Sequence, residues 1–193
     1  MSETEKLECM VDLETLGNRN SAAILSIGAC HFFPHGDDVQ RDAFEVFVKP
    51  ESCVEIGMEM DVSTVMWWMG ADCKNGVERA KMNEARDIMA EKQQRAIHIR
   101  DALHRFSAWV GQDKPVWGNG ATFDNVILRN AYELAGIPCP WSFWNDRCYR
   151  TMKNLAPSVK MQRQGVHHSA MWDAISQALH LQEITRSITT SGE

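Results

Sequence analysis

The chain has 193 residues, 44% of them hydrophobic, and carries a formal net charge of −6. This size and apolar content predict one domain with a substantial core. The acidic balance excludes a strong general affinity for duplex nucleic acid, because contacts between cationic side chains and phosphates supply most such affinity. The exception is the segment from Arg147 to Trp172, which has no acid. Its lysines and arginines are Arg147, Arg150, Lys153, Lys160 and Arg163. This segment is either a surface for a polyanion or a basic patch without a partner.

The cysteines and the N-terminus indicate the compartment in which the protein is located. The 6 cysteines form no Cys-x-x-Cys pair and no zinc-type spacing, so we expect reduced thiols. Residues 1–6 lack the basic and apolar regions of a signal peptide, and no apolar run approaches the length of a membrane span. We therefore expect a cytoplasmic protein with no membrane partner.

The first half of the chain contains strands followed by helices. Leu7–Asp12 and Ala22–Phe33 are apolar, and Ala43–Lys49 alternates polar and apolar residues until Pro50, so we predict three antiparallel strands. Hydrophobic spacing and a plausible cap then predict three helices. Their ranges are Asp61–Met69, Val77–Lys92 and Arg95–Val110.

The second half alternates strands and helices. The predicted elements are a strand over Pro115–Trp117, a helix over Thr122–Ala135, a fifth strand within Trp141–Cys148, and helices over Tyr149–Leu155 and Ser169–Ile184. This order predicts an α/β fold whose mixed five-stranded sheet has three antiparallel strands, then two parallel strands, and is flanked by helices. We expect a single domain over residues 1–193, with a core of about 7–185 and flexible terminal residues.

Asp12 and Glu14 follow the first apolar run. Side chains alternate along a strand, so the two carboxylates point to the same face. Like charges side by side destabilise a sheet, and a divalent cation is the usual compensation. The alternative is a pair of solvated carboxylates on an exposed strand.

A third carboxylate, Asp124, lies in the first turn of a predicted helix that follows a strand and the turn Gly118–Gly120. The helix dipole favours an acid at this position. Ligands in α/β sheets also bind at the carboxyl ends of strands. The alternative is an ordinary aspartate at a helix start.

His168 and Asp173 form the pattern H-x-A-x-x-D at the start of the last helix. With Ser169 as N-cap, Asp173 is one turn into the helix and His168 is just outside it, so both can face one site. The small side chain of Ala170 allows another backbone to approach. This spacing selects His168 over His167, although a lone histidine at a helix start is commonly polar surface.

The four carboxylates and the histidine indicate a metal-dependent phosphodiester site. Hard oxygen ligands suit Mg²⁺ or Mn²⁺. Two such ions about 3.5–4 Å apart clamp the attacking and leaving oxygens of a phosphoryl displacement. A histidine that titrates near neutral pH can take the proton from the attacking water.

The ordered motifs D-x-E, N-G-A-x-F-D and H-x-A-x-x-D, over about Glu8 to Leu181, resemble the DEDDh branch of the DnaQ-like 3′–5′ exonucleases, which have a ribonuclease H-like fold. The stretch D-L-E-T-L-G and the paired Trp67 and Trp68 are most similar to the bacterial and phage exodeoxyribonuclease VIII-like branch, which is close to a small exoribonuclease group.

The resemblance implies a role for each of the five residues. Asp12 is expected to bridge two Mg²⁺ or Mn²⁺ ions, Glu14 and Asp173 to complete the first metal site, and Asp124 to support the second. His168 is the expected general base.

The resemblance also implies how the substrate end is held. Thr15 and Leu16, together with Leu13, are expected to grip the 3′-terminal nucleotide. Asn119, Phe123 and Trp68 are further candidates for substrate contact; we assign most of the other tryptophans to the core, since large rings dominate packing. The segment Ile56–Arg95 exceeds what a minimal family member needs and is interpreted as a substrate wall or a dimer contact.

The implied reaction releases nucleoside 5′-monophosphates from a single-stranded 3′ end. We favour DNA as the substrate and keep RNA or short oligoribonucleotides as the alternative, because contacts to the 2′ position are not visible in a sequence. A non-catalytic nucleic-acid-binding module on the same fold and a metal-dependent endonuclease are rival hypotheses. Related small exonucleases dimerise, which leaves a homodimer as an open expectation.

Overall fold

A computed structural model describes residues 6–39 and 42–190, and its strands form one mixed sheet. The strands are β1 (Glu8–Thr15), β2 (Ile24–Phe32), β3 (Phe44–Phe47), β4 (Val116–Gly118) and β5 (Asp146–Cys148). Their order is β3-β2-β1-β4-β5; β1 to β3 pair antiparallel, whereas β4 and β5 run parallel to β1. The predicted sheet is confirmed. The expectation about the chain ends falls on residues 1–5 and 191–193, outside the described part.

Helices cover both faces of this sheet. They are α1 (Pro50–Glu55), α2 (Val62–Trp68), α3 (Gly76–Gln93), α4 (Ile99–Val110), α5 (Asp124–Ala135), α6 (Tyr149–Leu155) and α7 (Ala170–Thr190). Only α1 was not predicted, because Pro50 was interpreted as the end of a strand; proline is equally suited to the first turn of a helix. The fifth strand lies within the predicted range Trp141–Cys148 and occupies its end, because Phe143–Asn145 form a 3-10 turn before β5.

The alternation of β1 separates the core from the site. Cys9, Val11 and Leu13 are buried in the larger core, against residues of α4 and α5 such as Phe106 and Ile127. The intervening side chains point to the opposite face, where α7 packs on β1 and β2. The strand therefore presents Asp12 and Glu14 towards α7.

The start of α7 lies directly on β2 at Gly28. A Cβ atom at this position would lie well under 3.0 Å from the backbone N of Met171 and the backbone C of Ala170. Only glycine allows this approach without moving backbone atoms. The close approach of another backbone that we predicted at Ala170 is therefore confirmed, and Gly28 makes it possible.

Helices α2 and α3 form a third layer beside the sheet edge. Trp68 of α2 and Met82, Ala85 and Met89 of α3 pack around Leu25 of β2. Within the described part of the chain, no helix combines the length and the apolar character required to cross a bilayer.

Candidate active site

Asp12 and Glu14 lie in the carboxyl-terminal half of the central strand and point to the same face, as predicted, and α7 packs on that face. The Oδ1 atom of Asp12 accepts a hydrogen bond of 2.7 Å from the Nε2 atom of Gln177. Sequence reasoning missed Gln177, which is 5% exposed. Its position one helical turn after Asp173 places both on one face of α7, and this i, i+4 spacing was the available signal.

Glu14, His168 and Asp173 form one compact group. A ligand atom from each of the three lies within 4.8 Å of the others. His168 has a φ of 56°, a left-handed backbone conformation that turns the chain into α7. The amide of Asp173 then donates to the carbonyl of Ser169 at 2.8 Å, so Ser169 directly precedes the helix as predicted. The structure does not include His167 in this group.

Asp124 approaches the same strand from α5. Its Oδ1 atom accepts a hydrogen bond of 3.2 Å from the backbone N–H of Leu13, which lies between Asp12 and Glu14. Its Oδ2 atom is buried and has no hydrogen-bond partner among the described residues. A buried carboxylate oxygen without a partner is costly, so it marks a place for a cation or a proton.

The four carboxylates are electrostatically coupled. Burial, followed by the charges of Asp124, Glu14 and Asp173, raises the pKa of Asp12 well above its usual range. Burial and the neighbouring acids raise the pKa of Glu14 to about 8, and burial raises the pKa of Asp124 to about 7. Burial also raises the pKa of Asp173, against the opposing effect of Arg163. Without a cation, the folded chain therefore favours the protonated forms of Asp12 and Glu14.

This donor set fits a divalent metal ion. Carboxylate oxygens are the ligands that Mg²⁺ and Mn²⁺ prefer in proteins. The unpartnered Oδ2 atom of Asp124 and the mutual repulsion of the acids are both relieved by added positive charge. The residues present are therefore those of a divalent-cation site.

Because these carboxyl groups have raised pKa values in the folded protein, they stabilise it only while protonated. The stability of the metal-free protein should therefore fall as the pH rises from the ordinary value of Glu14, 4.5, towards its folded value of about 8. Cation binding releases these protons, so stabilisation by Mn²⁺ should grow over the same interval. Thermal unfolding is measured with and without Mn²⁺ at both ends of this pH interval. The rise in melting temperature caused by Mn²⁺ should be at least about twofold larger at the upper end than at the lower end. An equal rise in melting temperature at both pH values would contradict the link between cation binding and proton release.

The turn after β1 brings the predicted grip residues to the site edge, except for the side chain of Leu13. That side chain is 5% exposed and packs in the core, so Leu13 reaches the site only through its backbone. Thr15 is buried and donates from Oγ1 to the carbonyl of Gly17 at 2.6 Å. Leu16 is partly buried and packs between the larger core and the α2–α3 layer.

Trp68, Asn119 and Phe123 are the other residues that were predicted to contact the substrate. Trp68 is 7% exposed, and its indole N–H donates to the carbonyl of Thr15 at 3.0 Å. The burial of Trp68 makes it a support for the turn, and its neighbour Trp67 is the more exposed ring. Asn119 and Phe123 are partly buried at the turn before α5, and the backbone N–H of Asn119 helps to lower the pKa of the Asp124 carboxyl.

A cleft of about 330 Å³ opens beside His168. Its lining comes from α2, α3, the loop between them and the loop before α7: Trp67, Asp72, Cys73, Glu78, Lys81, Met82, His167 and His168. The ring of Trp67 lies edge-on to the ring of His168, with centroids 5.0 Å apart. The segment Ile56–Arg95 therefore forms one wall next to the site.

The acid-free segment contributes two arginines. Arg163 forms an ion pair with Asp173. Arg150 donates to the carbonyl of Asn119 and lies against Gly120, and its charge lowers the pKa of Asp124. Neither arginine was predicted to contact the carboxylates, although the segment stood out by its charge.

The mixed sheet, with acids on β1, α5 and α7 and a histidine before α7, defines a DEDDh-type nuclease of ribonuclease H-like fold. Solved structures agree on the fold. The nuclease domain of 3′hExo, a DEDDh family member bound to rAMP, has a TM-score of 0.60 and 14% identity, covering 100% of this chain and 96% of that chain. Cell-death related nuclease 4 (CRN-4) has a TM-score of 0.53 and 13% identity, covering 94% and 64%.

The family model of the Rv2179c-like 3′–5′ exoribonuclease domain matches residues 7–185, and the chain belongs to this family. It is therefore a 3′–5′ exonuclease. A second similar structure is a 3′-exonuclease described in 3′-end specific recognition of a histone mRNA stem-loop, with a TM-score of 0.58 and 12% identity, covering 99% of this chain and 84% of that chain. No curated protein matches the sequence.

Proposed function

We propose that the protein is a 3′–5′ exoribonuclease that removes nucleoside 5′-monophosphates from the 3′ end of single-stranded RNA by a two-metal mechanism. The observation that carries the proposal is the group of Glu14, His168 and Asp173, with ligand atoms within 4.8 Å of one another beside Asp12 and Asp124. Such a set combines acidic ligands with a neutral base at one point of the surface.

The carboxylates are assigned to cation binding. Asp12, whose charge interacts with those of the other three acids, would be shared between two Mg²⁺ or Mn²⁺ ions, with Glu14 and Asp173 at one ion and Asp124 at the other. When bound, such ions stabilise the charge that develops on the attacking and leaving oxygens of a phosphodiester. Gln177 fixes the orientation of Asp12 through its hydrogen bond.

His168 is assigned as the general base. Burial, then the charges of His167 and Arg163, lowers its pKa below the ordinary value. The imidazole is therefore neutral at physiological pH and can accept a proton from water. Its left-handed backbone and the edge-on contact with Trp67 hold the ring at the mouth of the cleft.

Replacing His168 with glutamine is expected to lower kcat by about 100-fold, because a positioned proton acceptor is lost while the carboxylates remain. KM and the binding of Mn²⁺ should change little. Steady-state release of mononucleotides, measured beside a His167→Gln control, tests the assignment. A larger effect of the His167 substitution would transfer the role to that residue.

RNA replaces DNA as the favoured substrate because the family is described as exoribonuclease. Two similar structures point the same way, since one holds rAMP and another concerns recognition of a histone mRNA stem-loop. This choice is the alternative that the sequence left open. The acidic net charge of −6 agrees with a small site for one free 3′ end, which needs few phosphate contacts.

Binding of the 3′ end of the substrate is assigned to the turn after β1. Leu16 lies partly buried in a turn that is held by the Trp68–Thr15 hydrogen bond, and the exposed part of its side chain is assigned as a wedge against a terminal nucleotide. Thr15 directly follows Glu14, and the partly buried Asn119 and Phe123 precede Asp124, so these three residues are assigned to the rest of the contact surface. Trp67 offers an accessible ring for stacking on a base.

Digestion of matched RNA and DNA oligonucleotides of the same sequence tests both parts of the proposal. Products are resolved by length, with Mn²⁺ or Mg²⁺ present and with a chelator as the control. We expect stepwise shortening of the RNA from its 3′ end, release of 5′-monophosphates and slower shortening of the DNA. Faster shortening of DNA would reverse the substrate assignment, and retention of both oligonucleotides without shortening would support the binding module instead.

A further inference from the structure

The acid-free segment places one positive charge inside the carboxylate group. The Nη1 atom of Arg163 is paired with the Oδ1 atom of Asp173, and the two side chains are 31% and 11% exposed. Of the ion pairs among the described residues, this is the one that includes a carboxylate of the site. The guanidinium therefore neutralises the same carboxylate that is assigned to a cation.

The backbone next to Arg163 is anchored on α7 by contacts that do not involve the Arg163–Asp173 ion pair. The amide of Gln164 donates to Ser176 Oγ at 2.8 Å, and that hydroxyl donates to the carbonyl of Trp172 at 2.7 Å. Gly165 has a φ of 61°, and a Cβ there would overlap the ring of Trp172. Because an arginine side chain has several rotatable bonds, the guanidinium can leave Asp173 without movement of this anchored segment.

Arg150 provides a natural contrast. It lies on α6, donates to the carbonyl of Asn119, and lowers the pKa of Asp124 through space. No ion pair in residues 6–39 and 42–190 joins it to a carboxylate. Both arginines therefore place one positive charge near the site, but of the two only Arg163 forms an ion pair with a carboxylate.

We propose that Arg163 is an internal counter-ion, which holds Asp173 in the metal-free protein and is displaced from it when a divalent cation binds. The inference rests on the proposed function, because the cation site is part of it. A guanidinium and a cation compete for the lone pairs of one carboxylate, so each must weaken the binding of the other. Arg163 keeps the like charges together in the absence of metal, and it reduces the affinity of the site for the cation.

Calorimetric titration of the full chain with Mn²⁺ tests the competition. Wild type, Arg163→Gln and Arg150→Gln are compared under the same conditions. Loss of the competitor should tighten Mn²⁺ binding by at least about fivefold in Arg163→Gln, whereas Arg150→Gln should stay within about twofold of wild type. Equal tightening in both variants would reveal a through-space charge effect and overturn the proposal. If wild type binds no Mn²⁺, the proposed cation site fails, and this inference fails with it.

A second readout follows the side chain itself. In protein labelled with ¹⁵N-arginine, the Nε–H signal of Arg163 is identified by its absence from Arg163→Gln. Addition of Mg²⁺ to the wild type should move this signal to the position of a solvated arginine, and the signal absent from Arg150→Gln should move less. An unchanged Arg163 signal in protein that has bound Mg²⁺ would overturn displacement.

Discussion

Replacing Asp12 with asparagine is expected to abolish mononucleotide release, lowering kcat by roughly 10³-fold or more, while raising the melting temperature of the metal-free protein. The substitution preserves shape and leaves an oxygen that can accept the hydrogen bond from Gln177. It removes one of four carboxylates that burial and mutual repulsion already disfavour. Stability and activity should thus change in opposite directions, as expected where a fold stores unfavourable charge for function.

Both effects are measured on one preparation. Shortening of a labelled RNA oligonucleotide reports activity, and thermal unfolding in the presence of a chelator reports stability. Glu133→Gln is a matched control, because Glu133 is an exposed acid on α5 outside the group. It should leave both quantities unchanged. Retained activity in Asp12→Asn would remove Asp12 from the metal-binding set, and a lower melting temperature would contradict the electrostatic argument.

Replacing Gly28 with alanine is expected to lower the free energy of unfolding by about 3 kcal/mol and to reduce activity at the same time. The added methyl group would overlap backbone atoms of Ala170 and Met171, which cannot move as a flexible side chain can. The start of α7 must therefore shift away from β2. That shift would carry Asp173 and His168 away from Glu14.

Gly76→Ala supplies the control for this substitution. A Cβ at Gly76 would meet no heavy atom within 4 Å, so the same chemical change has room there. Denaturant unfolding followed by fluorescence should show a lower midpoint for Gly28→Ala and no loss for Gly76→Ala. If Gly28→Ala is as stable and as active as the wild type, the contact between α7 and β2 does not position the site.

The sheet was predictable because its signals are local. Each of the first three strands ends in a turn or at a proline, and the alternation on β1 follows directly from the strand period. Helix α6 was predicted with the bounds Tyr149–Leu155 that the structure shows. In contrast, α1 was missed at Pro50, because a proline that ends a strand and one that begins a helix look alike in a sequence.

The acids and the histidine could be selected from order and spacing, but their partners could not. Gln177 contacts Asp12 across 165 positions of the chain, and Asp124 contacts Leu13 across 111. Such contacts depend on how α5 and α7 pack on the sheet, which no short pattern encodes. Trp68 shows the same limit, because the sequence made it a candidate for substrate contact and did not show that its ring is buried.

The contact between α7 and the central strand also has a consequence for the order of synthesis. A ribosome completes Asp12 and Glu14 near the beginning of the chain, whereas His168 and Asp173 emerge with the helix that docks on Gly28. Until that helix has docked, a nascent chain lacks the contributions of His168 and Asp173 to the site. The polypeptide therefore acquires the complete group of acids and histidine only after α7 has folded onto the sheet.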